Sequence, residues 1–173
     1  MPSKPNFFIE PLDKKHNRAA FSCEHERLVR YIQQQASQEI KKRVAAVFVL
    51  TPDGKTIAGF YTLSQYAVDA GELPEALKKD LGLPKYPQVP ATLLGRLARS
   101  LEFKGQGIGE LLLMAALKQA LGLSKTVASA AVVTDAKDEP AKQFYKRYGF
   151  VELPDPVNRM FLPMSTIDQL FKV

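Results

Sequence analysis

Tryptophan is absent from this chain, cysteine occurs once and histidine twice. A lone Cys23 cannot close an intramolecular disulfide, so the chain lacks the staples of a small secreted scaffold. Two histidines and one cysteine are also a poor stock of metal ligands, and no metal site is expected. Long apolar runs are missing as well. The most extended, Val44–Leu50 and Ile108–Leu117, are too short or too interrupted to cross a membrane. The N-terminus, Met1-Pro2-Ser3-Lys4-Pro5-Asn6, leads into Phe7-Phe8-Ile9 and then charge, without the long apolar core of a secretion signal. No repeat, low-complexity tract or dividing linker interrupts the chain. These absences leave a cytoplasmic, metal-free globular protein as the expectation.

What is present fits that class. A chain of 173 residues suits one domain and buries roughly 70% of its unfolded surface. With 46% hydrophobic and 24% charged residues it is neither disordered nor fibrous. Lys and Arg number 24 against 18 Asp and Glu, a net charge of +6. That excess admits an anionic partner without naming one, since many proteins of similar charge touch no nucleic acid.

Periodicity and turn signals give an element order. Phe7–Leu12 reads as a short strand closing at Asp13. A helix lies within Glu24–Lys42, where Leu28, Tyr31, Ile32, Gln35 and Ala36 recur at helical spacing. Val44–Leu50 is an apolar strand ending at the turn Thr51-Pro52-Asp53-Gly54, and Thr56–Val68 returns to complete a β-hairpin. Pro74–Leu81 reads as a short helix closed by Gly82, followed by Pro84, Pro87 and Pro90. Ala91–Ser100 is a strand, Gly107–Leu121 a helix stopped by Gly122, and Thr126–Thr134 a buried strand. Pro140–Tyr148 forms the last helix, ended by Gly149, before short strands at Phe150–Leu153 and Arg159–Met164. Hairpins early and helix-separated strands later imply an α/β architecture: a mixed sheet, antiparallel at its start, with helices on both faces. Regular alternation from the first strand, as in a doubly wound nucleotide fold, is not seen.

The most informative segment is Lys104-Gly105-Gln106-Gly107-Ile108-Gly109, between a predicted strand and a long apolar helix. Glycines at every second position let the backbone turn sharply and approach a ligand without Cβ obstruction. Unpaired N–H groups at the start of the helix, with the positive end of its dipole, would form an anion site. Two phosphate motifs fail on spacing. The dinucleotide fingerprint needs glycine where Glu110 stands, and the Gly-Lys-Ser/Thr of a P-loop is missing. On spacing alone a simple strand-to-helix turn remains open.

Arg96-Leu97-Ala98-Arg99-Ser100-Leu101-Glu102-Phe103, running into this loop, resembles the acetyl-CoA motif of GNAT-type N-acetyltransferases, Arg/Gln-x-x-Gly-x-Gly/Ala. Gly107 and Gly109 match the two small residues. Lys104 stands where the family most often has Arg or Gln, and it keeps the positive charge. The resemblance, covering roughly Val44 to Met164, implies a GNAT-like fold, a single acetyltransferase domain over residues 1–173, and acetyl-CoA as the acetyl donor. It assigns the CoA pyrophosphate to the loop's N–H groups, and the pantetheine arm and thioester to backbone groups of the strand carrying Leu97 and Arg99. The residues so implied are Leu97, Arg99, Lys104, Gly105, Gly107 and Gly109.

Ala141, Phe144, Tyr145 and Tyr148 share one helical face, so periodicity alone places Tyr145 in the core. The pattern Phe144-Tyr145-x-x-x-Gly149-Phe150 resembles the last helix of GNAT enzymes, where this tyrosine often protonates the departing CoA thiolate. A phenol of pKa about 10 stays protonated at neutral pH and can donate to a thiolate whose conjugate acid has pKa about 8.5. Tyr148 and Tyr61 are rivals, and both read better as packing residues. The base is less evident: the strand Ala91–Ser100 holds no carboxylate, which leaves Glu102 and Asp135. At about pH 7.5 an α-amine is roughly a quarter to two fifths unprotonated, against about one part in a thousand for lysine. A site without a strong base therefore favours an α-amine acceptor, although a water chain could relay the proton.

Arg96, Lys137, Lys142, Lys146 and Arg147 gather around the tyrosine and the cofactor strand. They are either a solvated helix face or a positive rim contacting RNA phosphates. Lys41-Lys42-Arg43 ends the first long helix and complements its dipole. The wider layout is similar to the GNAT toxins of toxin–antitoxin pairs: Ile9-Glu10-Pro11-Leu12-Asp13-Lys14, Phe21-Ser22-Cys23, and Ala58-Gly59-Phe60-Tyr61-Thr62-Leu63-Ser64. Those enzymes acetylate the α-amine of aminoacyl-tRNA and block translation. The resemblance implies aminoacyl-tRNA as acceptor, a homodimer, and a small antitoxin whose tail blocks the site. The alternatives are an N-acetyltransferase for a small-molecule or protein amine, or an inactive CoA-binding GNAT domain.

Overall fold

A computed structural model describes residues 6–172. In chain order the elements begin with strand β1 (Phe8–Pro11) and a helical stretch made of α1 (Glu26–Arg30), a π turn (Tyr31–Gln35) and α2 (Ala36–Lys41). Next come β2 (Ala46–Thr51), β3 (Gly59–Asp69), α3 (Glu75–Leu81) and β4 (Gln88–Arg99). The second half holds α4 (Ile108–Ser124), β5 (Ala131–Asp135), α5 (Glu139–Arg147), β6 (Val151–Glu152), β7 (Arg159–Pro163) and α6 (Met164–Leu170). The strands form a seven-stranded sheet in the order β1-β2-β3-β4-β5-β7-β6. This is the expected mixed α/β sheet, antiparallel at its start, with β4 and β5 running parallel.

Chain contacts divide into two compact units, Met1–Ser64 with Gly95–Ala116, and Gln65–Leu94 with Leu117–Val173. In the first, β1 pairs antiparallel with β2 from Phe8↔Thr51 to Pro11↔Phe48, and β2 with β3 from Ala46↔Leu63 to Leu50↔Gly59. The hairpin turn is fixed by Asp53, whose carboxylate accepts from the Lys55 and Thr56 N–H groups at 2.8 and 2.7 Å. Those bonds hold its carboxyl far below the usual carboxylate range. Phe21, Tyr31, Ile32, Val47, Val49 and Phe60 form the core of this unit. One helix was expected over Glu24–Lys42, with Gln35 on its apolar face. The π turn inserts an extra residue: Ala36 N–H bonds the Tyr31 carbonyl, Ala36 becomes buried, and Gln35 is exposed. The insertion lets Tyr31, Ile32 and Ala36 all reach the core.

In the second unit, β4 meets β5 at Thr92↔Val132 and Leu93↔Val133. Strand β5 pairs antiparallel with β7 from Ala131↔Pro163 to Asp135↔Arg159, and β7 with β6 at Val151↔Phe161 and Glu152↔Met160. Val68, Leu73, Val89, Ala91, Ala131, Val133, Leu153 and Phe161 are its core. Three boundaries and one further helix depart most from expectation. Strand β4 starts before Pro90, whose carbonyl accepts from Ala130 N–H at 2.8 Å just ahead of the paired register, where a missing N–H costs no ladder bond. Helix α4 runs through Gly122 to Ser124. The strand expected over Thr126–Thr134 begins only at Ala131 and runs to Asp135, because Thr126 and Val127 N–H groups are spent on the Leu123 carbonyl at the helix end. Helix α6, not anticipated, starts directly after β7 and buries Met164 and Ile167.

Candidate functional site

The glycine segment lies in the first unit, where β4 ends and α4 begins. Ser100 closes the strand and a 3-10 turn at Leu101–Phe103 leads to an exposed Lys104. Gly105 and Gly107 adopt φ of 83° and 72°, the left-handed region that disfavours any side chain. A Cβ built at either position meets nothing within 4 Å, so backbone conformation, not crowding, demands glycine there. Leu111 N–H bonds the Gly107 carbonyl at 3.2 Å. The N–H groups of Ile108, Gly109 and Glu110 precede it and have no backbone acceptor among the described residues. Open space over two glycines, three unpaired donors and the positive end of a 17-residue helix fit a diphosphate. The residues present therefore suit the CoA pyrophosphate that the resemblance assigns to them.

Leu97 and Arg99 are half-buried on β4. The Arg99 guanidinium donates to Glu24 at 2.9 Å, so its side chain is engaged while its backbone position is unaffected. Glu24 has a lowered carboxyl pKa, chiefly through its own backbone N–H and then through Arg99. The Arg96 guanidinium carbon lies over the Tyr31 ring, 3.7 Å from its centroid, with Glu39 3.7 Å from the guanidinium. The Tyr31 hydroxyl donates to the same Glu39 oxygen at 3.0 Å, and burial pushes that phenol up to about 12. Arg96 thus belongs to a cation–aromatic–carboxylate cluster.

Tyr145 lies in the second unit on α5, only 7% exposed. Asp138 caps this helix, accepting from Ala141 N–H at 2.9 Å, which sets the register that turns Tyr145 inward. Its ring packs against Phe144 and Phe150 at centroid distances of 5.4 and 5.2 Å. Burial pushes its phenol up to about 12. Thr134 is 2% exposed and donates to the Leu94 carbonyl at 2.8 Å. The sequence reading missed Thr134. Its available signal was a hydroxyl at the end of a buried Val132-Val133 run, where a polar group demands partners. The rival phenols pack: Tyr61 is fully buried against Phe48, and Tyr148 lies 5.2 Å from Phe144.

The basic set around Tyr145 is largely engaged. Lys142 binds Glu152 at 2.8 Å and Glu139 at 3.7 Å, and Lys146 reaches Glu152 at 3.2 Å. These pairings hold Glu152 below and Lys142 above their usual ranges. Arg147 sits over the Phe144 ring at 5.8 Å, while Lys137 is exposed and has no ion pair among the described residues. Of the two carboxylates weighed as base, Asp135 is bound by Arg159 through Nε at 3.0 Å and NH2 at 3.3 Å. Glu102 is exposed in the 3-10 turn. Among the described residues no group of three His, Cys, Asp or Glu is placed to hold a metal ion, and no helix is long and apolar enough to cross a membrane.

Residues 43–152 match the family described as acetyltransferase (GNAT) domain. A probable toxin, TacT of Sinorhizobium fredii, is 32% identical over 171 residues, covering 94% of this chain and 93% of the relative. A structure of AtaT complexed with acetyl-methionyl-tRNAfMet aligns with a TM-score of 0.88 and 27% identity, covering 96% of this chain and 100% of that one. A tyrosine-to-phenylalanine mutant of the AtaT toxin, bound to the C-terminus of the antitoxin AtaR and acetyl-CoA, aligns with a TM-score of 0.79 and 25% identity. It covers 96% of this chain and 98% of the other.

Proposed function

The chain belongs to the GNAT acetyltransferase family, and we propose that it moves the acetyl group of acetyl-CoA onto the α-amine of an aminoacyl-tRNA, as the toxin of a toxin–antitoxin pair. The observation that carries this reading is near end-to-end similarity to a probable toxin, joined to a close structural likeness to AtaT with acetyl-methionyl-tRNAfMet. The glycine turn is assigned the CoA pyrophosphate: the N–H groups of Ile108, Gly109 and Glu110 donate, and Lys104 adds positive charge. The β4 backbone near Leu97 and Arg99 is assigned the pantetheine arm. Acetyl-CoA supplies an activated acyl group, and the acceptor nitrogen attacks its carbonyl. Tyr145 is assigned the protonation of the thiolate that leaves, and its high pKa keeps the phenol loaded with its proton at neutral pH.

With Asp135 committed to Arg159, a low-pKa α-amine is the acceptor that least needs a protein base. Arg96 on β4, Lys137, and Lys142, Lys146 and Arg147 on α5 are assigned to RNA phosphates. The same reading places the protein in the cytoplasm, where charged tRNA is found, as a homodimer held in check by a small antitoxin. Incubation with acetyl-CoA and charged tRNA should yield N-acetyl-aminoacyl-tRNA, and induction in a bacterium should arrest growth. Acetylation of a free amine or peptide with charged tRNA untouched would overturn the acceptor assignment. A second reading, transfer to a small-molecule or protein amine, draws on the neutralisation of Lys142 and Lys146 by Glu152. It predicts turnover indifferent to salt.

A further inference from the structure

The strand that leads into the glycine turn ends on a cation with a loose partner. Arg99, the last residue of β4, donates to Glu24 through NH2 alone at 2.9 Å, and its Nε and NH1 groups have no acceptor among the described residues. The two side chains are 25% and 46% exposed, so the pair contributes little to stability and is readily given up. The backbone around it is fixed. Leu101 N–H donates to the Ser22 carbonyl at 2.9 Å, which docks the segment carrying Glu24 against the end of β4. The Phe103 and Lys104 N–H groups then bond the Ser100 and Leu101 carbonyls at 3.1 and 3.2 Å, a 3-10 turn in which the chain advances only about 2 Å per residue. The turn therefore reaches Lys104 roughly 10 Å beyond Arg99, a span that an arginine side chain and a diphosphate cover together. Of Glu24, Glu102 and Glu110, the carboxylates around this turn, only Glu24 holds a cation among the described residues.

Resting on the assignment of the glycine turn to the CoA diphosphate, we propose that the Arg99 side chain is a further contact of that diphosphate and that Glu24 competes for it: the guanidinium pairs with Glu24 in the free protein and turns to the phosphates of bound acetyl-CoA. The exchange is favourable because a diphosphate offers several oxygens to the planar fork of an arginine, where Glu24 engages one nitrogen. Only the side chain moves, since the β4 backbone and the Ser22–Leu101 bond hold both residues in place. When CoA leaves, Glu24 recovers its partner. The carboxylate thus lowers the affinity for product as well as for donor, and it sets how readily the site empties after each transfer. This gives Glu24 a role beside a site otherwise built for anions.

The experiment measures acetyl-CoA affinity by calorimetry, with a thermal melt of each protein, for wild type, Glu24→Gln, Arg99→Gln, the two together, and the charge-swapped Glu24→Arg with Arg99→Glu. Glu24→Gln should tighten binding about three- to tenfold, by freeing the guanidinium. Arg99→Gln should weaken it about tenfold or more, the worth of a hydrogen bond to a charged group. On the Arg99→Gln background Glu24→Gln should change affinity by less than about twofold, because the carboxylate acts through the arginine. The swapped pair keeps the tie but takes the cation off β4, and it should bind at least about fivefold more weakly than wild type. Should Arg99→Gln fail to fold, Arg99→Lys keeps the charge, loses the fork, and enters the same comparison with a smaller loss. Unchanged affinity in Glu24→Gln or Arg99→Gln, an equal gain from Glu24→Gln with and without Arg99, or wild-type affinity in the swapped pair overturns the proposal. Any of these leaves the pair a structural tie between β4 and the segment before α1. Undiminished acetyl-CoA binding by Gly107→Glu overturns instead the diphosphate assignment on which it stands, and the proposal falls with it.

Discussion

Asp135 grips Arg159 through both carboxylate oxygens, Oδ1 at 3.0 Å from Nε and Oδ2 at 3.3 Å from NH2. The same guanidinium bonds the Tyr66 hydroxyl and approaches Glu72 at 3.4 Å, so β5, β7 and the end of β3 meet at one largely buried cation. A carboxylate held this way ties strands together, with both oxygens occupied by the guanidinium. Asp135→Asn should therefore leave kcat within about twofold of wild type. It should cost about 1–2 kcal/mol of stability, discounted because Asp135 is half exposed, and lower Tm by roughly 2–8 °C. Steady-state kinetics with a thermal melt decide it: a hundredfold fall in kcat at unchanged Tm would restore Asp135 as the base.

Gly107 carries φ of 72° with open space where a Cβ would project. Alanine there meets no clash but bears the left-handed penalty, about 1–2 kcal/mol. Gly107→Ala should weaken acetyl-CoA binding several-fold, and Gly107→Glu, which brings a carboxylate to an anion site, should abolish it. Calorimetric titration measures both. Unchanged affinity in Gly107→Glu would remove the diphosphate from this turn.

Tyr145 makes a prediction in pH. Burial raises its phenol to about 12 from an unfolded value of about 10. The folded protein thus holds this proton over a window where the unfolded chain has lost it. The stability contribution is fully present below about pH 10 and is lost as pH rises towards 12. Turnover should show no falling limb from Tyr145 below about pH 10, and Tyr145→Phe should lower kcat by about 10²–10⁴-fold at every pH tested. A rate–pH profile of the two proteins checks this. A descending limb near neutrality that vanishes in Tyr145→Phe would mean a phenol tuned downward, contrary to its burial.

Local chain chemistry made much of this molecule legible. Asp53-Gly54, Gly82 and Gly149 mark turns because the backbone there needs a side-chain acceptor or a positive φ, both properties of single residues. The glycines before α4 were readable for the same reason. What escaped depended on distant partners. The exposure of Gln35 follows from a π turn that fits Tyr31, Ile32 and Ala36 into a core supplied by β2 and β3. The Lys142–Glu152 pair joins α5 to β6 across ten positions, and Thr134 finds Leu94 across forty. No spacing rule reports such meetings. The charges of the basic set were visible in the sequence, but their neutralisation was not.

That neutralisation leads to the last expectation. Glu152 holds Lys142 at 2.8 Å and Lys146 at 3.2 Å, and the Lys146 side chain is 41% exposed. Exposed pairs of this kind contribute little to stability, so a phosphate can compete for the lysine with small loss. Each phosphate so neutralised releases counterions and steepens the dependence of affinity on salt. Glu152→Gln should therefore tighten tRNA binding at low salt without changing acetyl-CoA affinity. Lys146→Ala should reduce the slope of log affinity against log salt by about one. Fluorescence anisotropy across a salt series measures both. Were Lys146→Ala and Glu152→Gln to leave the slope and affinity unchanged, this face of α5 would not touch RNA.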